Sequence, residues 1–156
     1  MIPREPLRVL FLCTGNSARS QMAEAILRHL AGGRVVVESA GSDPRPEIHP
    51  MAREAVRSLF GLEMEGQHPK PVGGFSGPPF DVVITVCDRA AESCPVFPGA
   101  PEVIRWSLPD PAGAAGGREA QHAAFENSAL ELMRRIRSWL AALPGGARPL
   151  PAADRA

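Results

Sequence analysis

The chain has 156 residues, 44% of them hydrophobic, which suits one domain with a packed core and leaves little room for two. Lys plus Arg and Asp plus Glu number 17 each, so no global field draws in nucleic acid or an anionic membrane, and an anionic ligand must be held locally. The longest apolar runs, Val9 to Cys13 and Val82 to Cys87, fall far short of the ~20 residues of a membrane span, so no membrane or nucleic-acid partner is expected.

In chain order, MIPREPLR carries an acid, two prolines and no apolar signal region. The expectation is a cytoplasmic protein with a flexible lead-in over residues 1–6. Leu7 to Leu12 is an apolar run without polar alternation, as in a strand buried on both faces, and it ends at Cys13. After a turn-prone Gly15-Asn16-Ser17, the apolar residues Ala23, Ile26, Leu27 and Leu30 recur at helical spacing until Gly32-Gly33. Arg34 to Glu38 reads as a second strand, followed by a loop from Ser39-Ala40-Gly41 that carries Pro44, Pro46 and Pro50. Ala52, Ala55, Val56, Leu59 and Phe60 mark a second helix closed by Gly61, and about twenty loop-like residues follow. Asp81 to Val86 is a third strand that also ends at a cysteine, Cys87, and Glu102 to Trp106 is a short fourth. Phe125, Ala129, Leu132, Ile136, Trp139 and Leu143 mark a long amphipathic helix, and residues 144–156 read as a disordered tail.

Strands alternating with helices imply an α/β fold: a single domain over residues 7–143 with a four-stranded parallel sheet flanked by helices. Ligands in such sheets bind beyond the carboxyl ends of the strands, where Cys13 and Cys87 fall.

The segment Cys13-Thr14-Gly15-Asn16-Ser17-Ala18-Arg19-Ser20 joins strand to helix, so its backbone N–H groups can converge on an anion at the positive end of the helix dipole. Arg19 adds a planar fork suited to a tetrahedral oxyanion. Cys13 lies beneath, where the dipole, Arg19 and the Ser20 hydroxyl favour thiolate over thiol. A Cys-x5-Arg pair alone arises by chance for roughly one cysteine in twenty, so its weight comes from the strand–loop–helix context. Asn16 is expected to stabilise the loop through left-handed backbone geometry and side-chain hydrogen bonds. Asp110, between Pro109 and Pro111, is a candidate proton donor to a leaving oxygen, although an Asp-Pro turn of this kind is common.

Three cysteines argue against a secreted disulfide framework. The seven-residue spacing of Cys87 and Cys94, with scattered histidines, does not fit zinc. On a helix it would hold the sulfurs ~10 Å apart, beyond disulfide reach unless the helix unwound. These two are either small buried hydrophobes or members of a thiol-exchange chain.

The loop, the preceding strand and Gln21 to Ala25 resemble the low-molecular-weight protein tyrosine phosphatase superfamily, and the likeness continues through Ser39-Ala40-Gly41, His49-Pro50, residues 81–98 and Asp110-Pro111. The Cys87 to Cys94 segment resembles the thioredoxin-coupled arsenate reductases within it. This resemblance implies Cys13 as nucleophile on arsenate, Asp110 as general acid, and Thr14 to Ser20 as the oxyanion cradle. It further implies a Cys13–Cys87 disulfide resolved by Cys94 into Cys87–Cys94, which thioredoxin reduces as co-substrate, in a monomer without a bound cofactor. A tyrosine phosphatase would use the same Cys13, Arg19 and Asp110 but needs an aromatic wall, and here the acid is followed by Pro111-Ala112-Gly113-Ala114-Ala115 in a chain without tyrosine. A non-catalytic anion sensor is disfavoured by the intact Cys13, Arg19, Ser20 and Asp110. Some reductases of this group bind potassium through residues matching Asn16, Glu24, Ser39 and an acid aligned with residues 67–70. This chain has no acid there, and Lys70 is expected to pair with Glu24, so no metal is expected.

Overall fold

The computed structural model describes residues 6–75, 77–87 and 101–143. Four parallel strands, β1 (Leu7–Cys13), β2 (Val35–Gly41), β3 (Val82–Thr85) and β4 (Glu102–Arg105), form one sheet in the order β2-β1-β3-β4. The helices are α1 (Arg19–Ala31), α2 (Pro50–Phe60) and α3 (Gly117–Ala142). This is the expected α/β domain, and its strand and helix bounds differ from the sequence reading in instructive places.

β1 is the inner strand on which the rest is built. Val9 to Cys13 are all buried, and the register runs Leu7↔Val35 to Cys13↔Gly41 on one side and Val9↔Val82 to Leu12↔Thr85 on the other. Phe11, Leu12 and Ile84 meet Met22 and Ile26 of α1 and Phe125, Leu132 and Ile136 of α3 in one continuous core. That burial of apolar area is the main force holding the layers together.

β2 runs to Gly41 rather than stopping at Glu38. The parallel ladder with β1 carries it through Ser39 and Ala40, so the small residues read as a loop are the end of a strand. A Cβ on Gly41 would lie 2.5 Å from the Thr14 carbonyl oxygen and 3.0 Å from Asn16 Cβ, so only glycine lets this strand end press against the loop after β1. α2 starts at Pro50, whose missing N–H costs nothing in a first turn, and His49 caps it by accepting the Met51 N–H at Nδ1 (3.1 Å). Gly61 closes it at φ 69°. α3 begins eight residues before the first periodic apolar residue; its opening turns are polar and alanine-rich, which hides them from an amphipathic pattern while favouring helix.

β1 leads to β2 on one side and the chain later returns as β3 on the other. The crevice beyond the ends of β1 and β3 is thus the switch point at which such sheets bind ligands. Cys13 ends β1, and Cys87 lies two residues past β3.

Candidate active site

The loop from Thr14 to Ala18 is held from behind by residues 42–49, which run beside it as a continuation of the sheet ladder. Ser42 N–H donates to Cys13 O (3.2 Å), Asp43 to Thr14 O (2.9 Å), Arg45 to Gly15 O (2.9 Å) and His49 to Ser17 O (2.8 Å). With four carbonyls drawn outward, the loop can turn its N–H groups inward. Ala18 takes the N-cap position of α1 with no side-chain cap, so the first turn is left open to an anion.

Asn16 adopts φ 48°, the left-handed conformation expected of it. Its side chain ties the loop together: Nδ2 donates to Ser20 Oγ (2.8 Å) and Ser39 Oγ (2.9 Å), and Oδ1 accepts the Lys70 N–H (2.9 Å). Asn16 and Ser20 are both 0% exposed, so their side chains lie behind the cradle rather than in its mouth. Ser20 Oγ donates to Cys13 Sγ (3.2 Å), and the Asn16 N–H does the same at 3.3 Å.

Arg19 is anchored by Nη1 to the Leu108 carbonyl (2.9 Å), which fastens the segment bearing Asp110 to the start of α1. Its buried Nε has no hydrogen-bond partner among the described residues. A buried guanidinium N–H left open is costly unless a ligand accepts it, and a tetrahedral oxyanion over Cys13 is such a ligand. Asp110 caps a short 3-10 turn, Pro111–Gly113, by accepting the Ala112 N–H at Oδ1 (3.0 Å).

Cys13, Thr14, Gly15, Ser17, Ala18, Arg19, Cys87 and Asp110 line one cavity of about 720 Å³, together with Asp43, Arg45, Pro46, Glu47, Ile48, His49, Pro50, Leu108, Pro109 and Ala112. The lining contains no Phe or Trp among the described residues. His49 stacks on Phe125 at 4.5 Å between ring centroids, so the aromatic ring beneath it belongs to the core. Cys94 lies outside the described residues. A Cβ on Gly15 would meet Arg45 Cγ at 3.1 Å, so the stem of Arg45 passes directly over the loop. No signal in the sequence pointed to Arg45.

Cys13 and Cys87 are both buried. The hydrogen bond to Cys87, and then burial, push the Cys13 thiol well above its ordinary range, while Ser20, Arg19 and the Asn16 N–H pull it down. Ser20 and Arg19 act in the expected direction, but the expectation that the dipole, Arg19 and the Ser20 hydroxyl favour thiolate is outweighed by Cys87 and burial, because two thiols sharing one buried site do not both ionise. Cys87 also lies 3.5 Å from Thr14 Oγ1, so both cysteines and the loop share one hydrogen-bonded cluster.

A buried cysteine at the carboxyl end of β1, an arginine with an open N–H and an uncapped helix start describe a phosphatase-type loop, and the family model for low molecular weight phosphotyrosine protein phosphatases matches residues 8–146. The chain belongs to that family. Within it the chain is similar to an arsenate reductase of Halalkalibacterium halodurans, 34% identical over 131 residues and covering 84% of this chain and 93% of the other. A glutaredoxin arsenate reductase of Synechocystis is 34% identical over 106 residues, covering 68% and 79%. Among solved structures, a thioredoxin-dependent arsenate reductase of Corynebacterium glutamicum superposes with a TM-score of 0.64 at 33% identity, over 88% of this chain and 62% of that one. The four-stranded parallel sheet and its loop are thus the phosphatase family's fold.

Proposed function

We propose that this chain is an arsenate reductase in which Cys13 is the nucleophile, Arg19 and the backbone of Thr14 to Ser20 hold the oxyanion, and Asp110 is the general acid. The observation that carries the reading toward reduction is Cys87: a second buried cysteine, hydrogen-bonded to Cys13 and lining the oxyanion cavity. Phosphoester hydrolysis through a thiolate needs only one such nucleophile.

In the first step Cys13 Sγ attacks arsenic and forms a sulfur–arsenic bond while one arsenic–oxygen bond breaks. The departing oxygen takes a proton from Asp110 and leaves as water. Asp110 Oδ1 is held by the Ala112 N–H, which leaves Oδ2 for that transfer. Cys87, having lost its proton to solvent, then attacks Cys13 Sγ. The disulfide forms as the sulfur–arsenic bond breaks, and its electron pair stays on arsenic, which departs as arsenite. Cys94 attacks Cys87 next, freeing Cys13, and a thioredoxin dithiol reduces the Cys87–Cys94 disulfide. The reducing cytoplasm suits this chemistry.

The hydrolase alternative, a tyrosine phosphatase built on the same three residues, is disfavoured by a cavity lining without Phe or Trp among the described residues. The test supplies arsenate or an aryl phosphate to the reduced protein, with thioredoxin and its NADPH-driven reductase, or with glutathione and glutaredoxin. Arsenate-dependent NADPH oxidation through thioredoxin, with slow phosphate release, is expected. Oxidation only through glutaredoxin would overturn the three-cysteine relay, and rapid aryl phosphate hydrolysis without arsenate turnover would overturn the reductase.

A further inference from the structure

Behind the cradle, the hydrogen bonds around Asn16 continue to a carboxylate. Ser39 Oγ donates to Glu24 Oε1 at 2.6 Å, and Glu24 is only 3% exposed. The polarity of the chain is fixed from that end. An ionised carboxylate only accepts, so Ser39 must donate to it and takes the Asn16 Nδ2–H on its own lone pair. The other Nδ2–H goes to Ser20 Oγ, whose proton is then free for Cys13 Sγ. The Lys70 N–H on Asn16 Oδ1 prevents the amide from flipping.

A buried carboxylate needs a compensating cation. Lys70, the expected one, does pair with Glu24, at 3.9 Å, and is shared with Glu38, at 3.3 Å. Arg28, one turn further along α1, makes the shorter contact, with Nη2 2.5 Å from Glu24 Oε2. Its guanidinium also donates to the Val37 carbonyl (3.0 Å) and to Gln67 Oε1 (3.1 Å). Three oxygens therefore converge on one guanidinium. The residues present do not fit a bound potassium ion: Arg28 already occupies the oxygens, and Gln67 Nε2 is spent on Gln21.

We propose that Arg28 is a built-in cation that sets the Glu24–Ser39–Asn16–Ser20 chain against Cys13. Arg28 is a positioning residue, acting on Cys13 only through this chain. The inference rests on the oxyanion-loop reading and is independent of whether arsenate is reduced.

The test compares native protein, Arg28→Lys and Arg28→Met in KCl, NaCl and choline chloride at equal ionic strength, reading inorganic phosphate affinity by calorimetry and the thermal unfolding midpoint. Native protein and Arg28→Lys should show the same values in all three salts. In choline chloride, Arg28→Met should bind phosphate roughly tenfold more weakly, as expected when one charge-assisted hydrogen bond in the chain is lost. Because the substitution uncovers three oxygens, an alkali cation should restore both affinity and midpoint. A native midpoint or affinity that rises with potassium would overturn the proposal, as would an Arg28→Met variant that behaves like native in every salt. Native protein that binds no phosphate in any salt would instead refute the oxyanion loop, while the salt dependence of the midpoints still judges Arg28.

Discussion

Cys13 receives opposing influences from residues within hydrogen-bond reach, and the balance is set by its thiol neighbour. Cys87 and burial raise its pKa, whereas Ser20, Arg19 and the Asn16 N–H lower it. Replacing Cys87 with Ala removes the largest upward cause, so the thiolate should form at lower pH. Alkylation of Cys13 by iodoacetamide at neutral pH, followed by mass spectrometry, should be faster in Cys87→Ala than in native protein; a slower or unchanged rate would contradict this balance. Arg19 offers a second test, because its Nη1 is committed to Leu108 O and its Nε is open. Arg19→Lys keeps the charge and loses the fork, and should cost roughly 10²–10³ in kcat with arsenate, the usual effect of removing one oxyanion donor. Cys13, Arg19, Asn16 and Asp110 were legible in the sequence because the loop motif and the Asp-Pro pair are local patterns. Arg28 was missed although Glu24 and Arg28 stand at i and i+4 on a helix, since that spacing usually marks a pair exposed at both ends, whereas here a half-exposed Arg28 covers a buried Glu24.

The element that shapes the site most is the end of β2. Gly41 lies where a methyl group would enter the Thr14 carbonyl, so Gly41→Ala must push the oxyanion loop aside. Overpacking of this kind costs about 1–3 kcal/mol, to be read by urea unfolding, and phosphate affinity should fall alongside stability. A loss of stability with unchanged phosphate affinity would show that β2 supports the fold without shaping the loop. The strands were legible as apolar runs, since burial on both faces leaves a continuous signal. Their ends were not: β2 continues through Ser39, Ala40 and Gly41 because of its pairing with β1, which no local propensity records. The first turns of α3 were missed for the complementary reason, as polar, alanine-rich helix carries no apolar period.

At the scale of the whole molecule, the order β2-β1-β3-β4 brings two cysteines separated by 74 positions to the same crevice. The alternation of strands and helices predicted this carboxyl-end placement. It could not predict that Cys87 would be hydrogen-bonded to Cys13, because that depends on how the turn after β3 packs against the loop. The three-cysteine relay can be measured directly. Reduced protein is incubated with arsenate and no external reductant, then quenched for counts of free thiols and arsenite and for disulfide mapping, beside Cys94→Ser. Two thiols should be lost per arsenite, with a Cys87–Cys94 disulfide in the native chain and a Cys13–Cys87 disulfide trapped in the variant. Intact thiols and no arsenite would contradict the relay.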